Sequence, residues 1–132
     1  MTIEMDENDN QLYIHCLNWT KAPDEKFKPA DVAPYVYFWL KKDLSDADRE
    51  TFERELKLVT KINYLGSAWV GKSADVPPRP VCDQSFDWSL IVQFKKIADH
   101  DFYQTDCADH KRFVETCKTF WSKVIIYDMT PQ

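Results

Sequence analysis

Positive charge is in short supply in this chain. Of its 132 residues 22 are acidic and 17 basic, a net charge of −5. No field attracts a phosphate backbone, and nucleic acid is not an expected partner. Paired cysteines are also missing. Cys16, Cys82, Cys107 and Cys117 stand far apart with no Cys-x-x-Cys spacing, which leaves neither a zinc ligand set nor a redox motif and predicts free, mostly buried thiols. No stretch approaches the ~20 consecutive apolar residues that span a bilayer. The first ten residues are acidic rather than basic followed by apolar, so no secretory signal or membrane anchor is expected and the protein reads as soluble and cytoplasmic. Internal repeats and low-complexity tracts are absent too.

What is present is a core. Hydrophobic residues make up 44% and aromatic ones 14% of the chain, enough for one domain that buries about two-thirds of its unfolded surface. The clearest change of composition separates a polar arm, residues 1–32, from a domain over 33–132. Within the arm, Gln11 to Trp19 is apolar and β-prone, which predicts an extra strand around Leu12 to Leu17 covering a sheet edge. A proline-bounded linker follows from Ala22 to Pro29.

Strand 1 is expected from Tyr35 to Lys41, where Tyr35, Tyr37 and Trp39 share one face and Val36, Phe38 and Leu40 the other. Both faces need cover. Ser45 with Asp48 three positions on supplies a helix start, and Phe52, Leu56, Val59 and Ile62 recur at helical spacing. Residues 67–71 form a short second strand. The prolines between Asp75 and Pro80 forbid regular structure in a long loop over 72–84. Strand 3 alternates from Phe86 to Phe94, a second helix runs over roughly 98–118, with Cys107 as the place where it could break, and strand 4 covers Trp121 to Asp128.

The order β-α-β-β-α-β packs as a four-stranded antiparallel sheet with both helices on one face, an α+β, ferredoxin-like fold. The other face then lacks cover. Val36, Phe38, Leu40, Ile91 and Ile125 are expected there, an apolar patch of a size that monomers seldom expose, so a second copy of the sheet is the economical partner and a two-fold homodimer is predicted.

Four segments carry a family resemblance: Tyr35 to Lys41, Phe86 to Phe94, Phe102 to His110 and Phe120 to Asp128. In this order they resemble the stress-responsive dimeric α/β-barrel (Dabb) family over roughly residues 33 to 130. The resemblance implies the same fold, with two sheets closing into a dimeric barrel, and a pocket between sheet and helices in each subunit. In a cyclase-like member a Tyr and a His on the second helical segment transfer protons, and those positions match Tyr103 and His110. This chain departs from the pattern at three places: Tyr35 stands for a His, Asp106 and Cys107 stand for His-Pro, and one extra residue separates Tyr103 from His110.

The chemistry these two residues could supply is proton abstraction beside a carbonyl. An imidazole accepts or donates a proton near neutrality, and a phenol can stabilise a developing enolate. On an unbroken helix seven residues return to the same face about 10.5 Å further along, so the pair would line one groove without touching unless the segment bends. From the sheet, Tyr35, Tyr37, Trp39, Trp88, Leu90, Trp121, Val124 and Ile126 are the expected ligand-binding positions for a small apolar or aromatic carbonyl compound. No metal and no cofactor is called for, because the Asp and His residues from Asp99 to His110 reproduce no ligand spacing. The same aromatic residues also fit a non-catalytic stress-associated or assembly protein whose interior is filled by its own side chains.

Overall fold

The computed structural model describes residues 31–62 and 66–132. The strand expected around Leu12 to Leu17, and the arm that would carry it, lie outside the described residues. Seven elements follow one another: β1 (Ala33–Leu40), α1 (Asp46–Val59), β2 (Ser67–Gly71), β3 (Trp88–Gln93), α2 (Ile97–Thr105), α3 (Ala108–Cys117) and β4 (Trp121–Met129). The strands pair antiparallel in the order β2-β3-β1-β4, the ferredoxin-like arrangement. Three helices stand where two were expected, because the second helical segment divides at Asp106 and Cys107. None of the described helices is long and apolar enough to cross a membrane.

Strand register decides which face is which. Val36 pairs with Leu90 and Ile126, and Phe38 with Trp88 and Val124, so these side chains share the face that takes the helices. Phe38 is 3% exposed and its ring lies 5.3 Å from Phe52 of α1 and 5.9 Å from Phe113 of α3. This corrects the face assignment: Val36, Phe38 and Leu40 belong to the helix-covered core, and the face that no helix covers among the described residues carries Tyr35, Tyr37 and Trp39 with Ile91, Ile125 and Tyr127. Period-2 alternation sorts residues into two sets but cannot say which set the helices cover, and here both sets are aromatic.

A register shift between Trp39 and Leu40 changes the parity of β4. Trp39 pairs with Lys123 and Leu40 with Trp121, leaving Ser122 as the extra residue, its hydroxyl donating to the Trp39 carbonyl at 3.2 Å. The bulge re-aims Trp121 to the helix side, where its ring sits 5.4 Å from Phe38 and 6.5 Å from Phe52.

The long connection before β3 does not continue the strand back to Phe86. The Asp87 N–H donates to the Phe38 carbonyl at 2.9 Å, and its carboxylate accepts from the Leu40 N–H at 2.7 Å. These two bonds turn the chain across the end of β1. Phe86 therefore packs edge-on against Tyr37, with centroids 5.1 Å apart, and the Trp39 indole N–H donates to the Ser85 hydroxyl at 2.9 Å. The loop thus covers one end of the sheet face that is otherwise open among the described residues.

Helix α1 starts as expected, with the Ser45 hydroxyl accepting the Asp48 N–H at 3.1 Å. Its buried stripe of Phe52, Leu56 and Val59 packs on the sheet. Glu55 lies in the same stripe, and Arg112 of α3 reaches it at 2.9 Å, tying the two helices together.

Candidate functional site

The break between α2 and α3 is the structural event that builds the site. The last carbonyls of a helix lack intrahelical partners, and at the end of α2 they are met locally. The N–H groups of Asp106 and Cys107 both donate to the Phe102 carbonyl, at 2.8 and 3.0 Å. Cys107 is extended, at φ −69° and ψ 113°, and is the N-cap of α3. The chain turns at these two residues instead of continuing its helical path.

That turn brings His110 back onto Tyr103. Their rings stack with centroids 4.0 Å apart and planes 23° from parallel, in place of the separation along the axis that a continuous helix would impose. His110 Nδ1 lies 3.0 Å from the Tyr103 carbonyl oxygen, one of the unpaired carbonyls at the end of α2. A carbonyl only accepts, so this contact fixes the proton on Nδ1 and leaves Nε2 with a free lone pair.

Both rings face a cavity of about 220 Å³ between the sheet and helices α2 and α3. Of the residues singled out in the sequence, Leu90, Trp121, Val124 and Ile126 line it from the sheet, together with Pro34, Val36, Phe38 and Val92. Gln104, Phe113 and Val114 join Tyr103 and His110 on the helical side. The other expected positions lie elsewhere. Tyr35, Tyr37 and Trp39 point to the opposite face of the sheet, and Trp88 borders a separate surface depression with the Lys72 ammonium 4.7 Å above its ring. The residues that sequence reasoning missed were readable in part. Phe113 and Val114 follow His110 at helical spacing, and Val36 and Phe38 needed only the correct sheet face.

Charge in the cavity is governed by burial. Tyr103 is 5% exposed, and loss of solvent, helped by the neighbouring Cys107, raises its phenol well above the ordinary value and keeps it neutral. Its hydroxyl has no hydrogen-bond partner among the described residues, which is uncommon for a buried phenol and leaves it available to a ligand. His110 is held below its ordinary value of 6.5 by burial, opposed by the bond to the Tyr103 carbonyl, and is therefore neutral at pH 7. The pair offers one proton acceptor and one proton donor on an apolar wall. Among the described residues no group of three or more His, Cys, Asp or Glu side chains could hold a metal ion.

Comparison with known proteins agrees with this architecture. The family model described as the stress responsive A/B barrel domain (Dabb) matches residues 32–131. Among solved structures, hydroxynitrile lyase from Passiflora edulis is 15% identical, with a TM-score of 0.63 over 80% of this chain and 96% of that one. A dimeric ferredoxin-like protein of unknown function from Thermobifida fusca is 14% identical, with a TM-score of 0.62 over 82% of this chain and 97% of that one. A Dabb family protein with a ferredoxin-like fold from Mesorhizobium loti is 19% identical, with a TM-score of 0.60 over 76% and 96%. No curated protein matches the chain. At these identities the likeness concerns the fold.

Proposed function

The chain belongs to the stress-responsive A/B barrel family, and from that membership and the cavity geometry we propose a homodimer that binds a small apolar or aromatic carbonyl compound in each subunit and catalyses a cofactor-free lyase or cyclase step. The observation that carries this reading is the His110 imidazole, stacked on Tyr103 with Nδ1 against the Tyr103 carbonyl, at the wall of an open apolar cavity. An apolar cavity of roughly 150 Å³ holds benzene. A space of about 220 Å³ therefore suits a single substituted ring or a short chain.

In this reaction Nε2 of His110 removes a proton from a hydroxyl or from a carbon next to a carbonyl. The proton stays on the imidazole while a carbon–carbon bond breaks or closes, and His110 returns it to the product. The Tyr103 phenol, kept neutral by its surroundings, donates a hydrogen bond to the oxygen on which charge collects. The name of the Passiflora edulis enzyme makes hydroxynitriles the first compounds to try. For the rival reading, an interior filled by its own side chains, the open cavity is the unfavourable observation.

Dimerisation is supported by the dimeric ferredoxin-like relatives and by the uncovered sheet face. There Tyr127 is 63% and Trp69 47% exposed, beside Tyr37 and Ile125. Partner-sheet contact would remove this aromatic surface from water.

The test is an NMR titration with a panel of small aromatic aldehydes and their hydroxynitriles, paired with an assay for aldehyde release. Binding should shift the signals of Tyr103, His110 and Val124, and His110→Ala should remove turnover while the protein stays folded, with a melting temperature lowered by the lost stacking and carbonyl contact. Absence of binding to every compound at millimolar concentration would overturn the proposal.

A further inference from the structure

The imidazole that this reading relies on is placed by a thiol. Residue 107 sits at the turn between α2 and α3, where three of the local hydrogen bonds are purely backbone: Asp106 and Cys107 to the Phe102 carbonyl, and Lys111 to the Cys107 carbonyl at 3.0 Å. Any residue could make these. A fourth bond depends on the side chain, because the Cys107 sulfur accepts the N–H of His110 at 3.3 Å. This is the N-cap position, at which Ser, Thr, Asp and Asn are preferred and sulfur is a weak acceptor. Burial explains the choice, since Cys107 is 2% exposed and belongs to the apolar core cluster beside Tyr103. A carboxylate here would be a buried charge next to a phenol that must stay neutral.

We infer that Cys107 is a positioning residue, whose sulfur holds the backbone of His110 so that its imidazole stacks on Tyr103 and presents Nε2 to the cavity. The geometry leaves little slack. The His110 N–H is tied to Cys107 and the His110 ring to the Tyr103 carbonyl, so backbone and side chain of the same residue are anchored on opposite sides of the turn. Releasing the first anchor frees the start of α3 to fray, and the ring then exchanges its carbonyl partner for water. A capping contact of about 1 kcal/mol corresponds to a roughly five-fold change in local opening.

The role rests on the proposed proton transfer by His110, but its test does not need turnover. Proton NMR of the wild-type protein should show the His110 ring protons shifted upfield by the Tyr103 face, with a titration midpoint below the ordinary histidine value. In Cys107→Ala and in Cys107→Val, which keeps the volume filled, those protons should move downfield. The midpoint should rise toward the ordinary value, and the His110 amide should exchange roughly five-fold faster. Cys107→Ser, with an oxygen acceptor, should restore all three signatures. Unchanged ring shifts and midpoint in the Ala and Val variants would overturn the inference. If neither of those folds, the Ser variant decides: wild-type ring shifts support the role, and a folded protein with a displaced imidazole refutes it. Lack of activity toward every substrate would sink the enzymatic reading and leave these spectra to judge Cys107 alone.

Discussion

Two neighbouring residues, Tyr37 and Phe38, face opposite sides of one sheet, and substituting each should break a different thing. Phe38 is 3% exposed and its ring meets Phe52, Trp121 and Phe113 at 5.3, 5.4 and 5.9 Å. Truncation to Ala removes a large ring that three others cannot collapse to replace, a loss of about 3–5 kcal/mol in comparable cores. Spread over a domain of this size, that is a fall of roughly 10–20 °C in melting temperature. The association of folded subunits should change little.

Tyr37→Asp places a charge on the uncovered face between Ile125 and Phe86. The monomer keeps its core and tolerates the change. In a two-fold dimer the charge is buried twice, and at about 2 kcal/mol or more per unpaired carboxylate the interface loses at least about 4 kcal/mol, roughly a thousand-fold in dissociation constant. Sedimentation across a concentration series and urea unfolding separate the two effects. A Tyr37→Asp protein that sediments as the wild-type dimer, beside a Phe38→Ala protein that dissociates while still folded, would refute both the face assignment and the dimer surface.

Because burial holds His110 below its ordinary value of 6.5, the unfolded chain takes up a proton at that site before the folded one does. The contribution of His110 to stability is thus present above pH 6.5 and lost as pH falls toward the folded value; urea unfolding at pH 7.5 and 5.5 should show a smaller acid loss in His110→Gln than in the wild type, and equal losses would contradict the burial. Arg112→Ala removes the guanidinium 2.9 Å from Glu55, whose side chain is only 7% exposed. That should cost about 1–3 kcal/mol, measured by unfolding, with Glu55→Gln in the same background recovering part of it.

The fold was legible because its signals are local and redundant. Ser45 with Asp48 marks a helix start that the backbone uses as written, the alternating apolar residues of β3 mark a strand, and the β-prone runs of β1 and β4 mark two more. Three features escaped, each for a physical reason. The covered face of the sheet depends on where the helices land, and β1 is aromatic on both sides. Phe86 looks like one more step of strand 3, yet the two hydrogen bonds of Asp87 to Phe38 and Leu40 turn the chain before it. The bulge at Ser122, which sets Trp121 on the same face as Val124 and Ile126, is encoded by no periodic pattern.

The site shows the same division between residue types and their arrangement. Tyr103 and His110 stood out as a proton-handling pair, but their spacing on a straight helix argued against contact, and no proline marks a bend. The bend is made by partner satisfaction instead. Phe102 and Tyr103 carry carbonyls at the end of α2, and the first is met by two backbone N–H groups and the second by the His110 ring. The start of α3 is met by a cysteine, a residue absent from the usual roster of caps. Between Tyr103 and His110 the chain leaves one helix, caps the next and returns the imidazole to within 4.0 Å of the phenol ring, so the seven-residue spacing that argued against contact on a straight helix accompanies the turn that creates it.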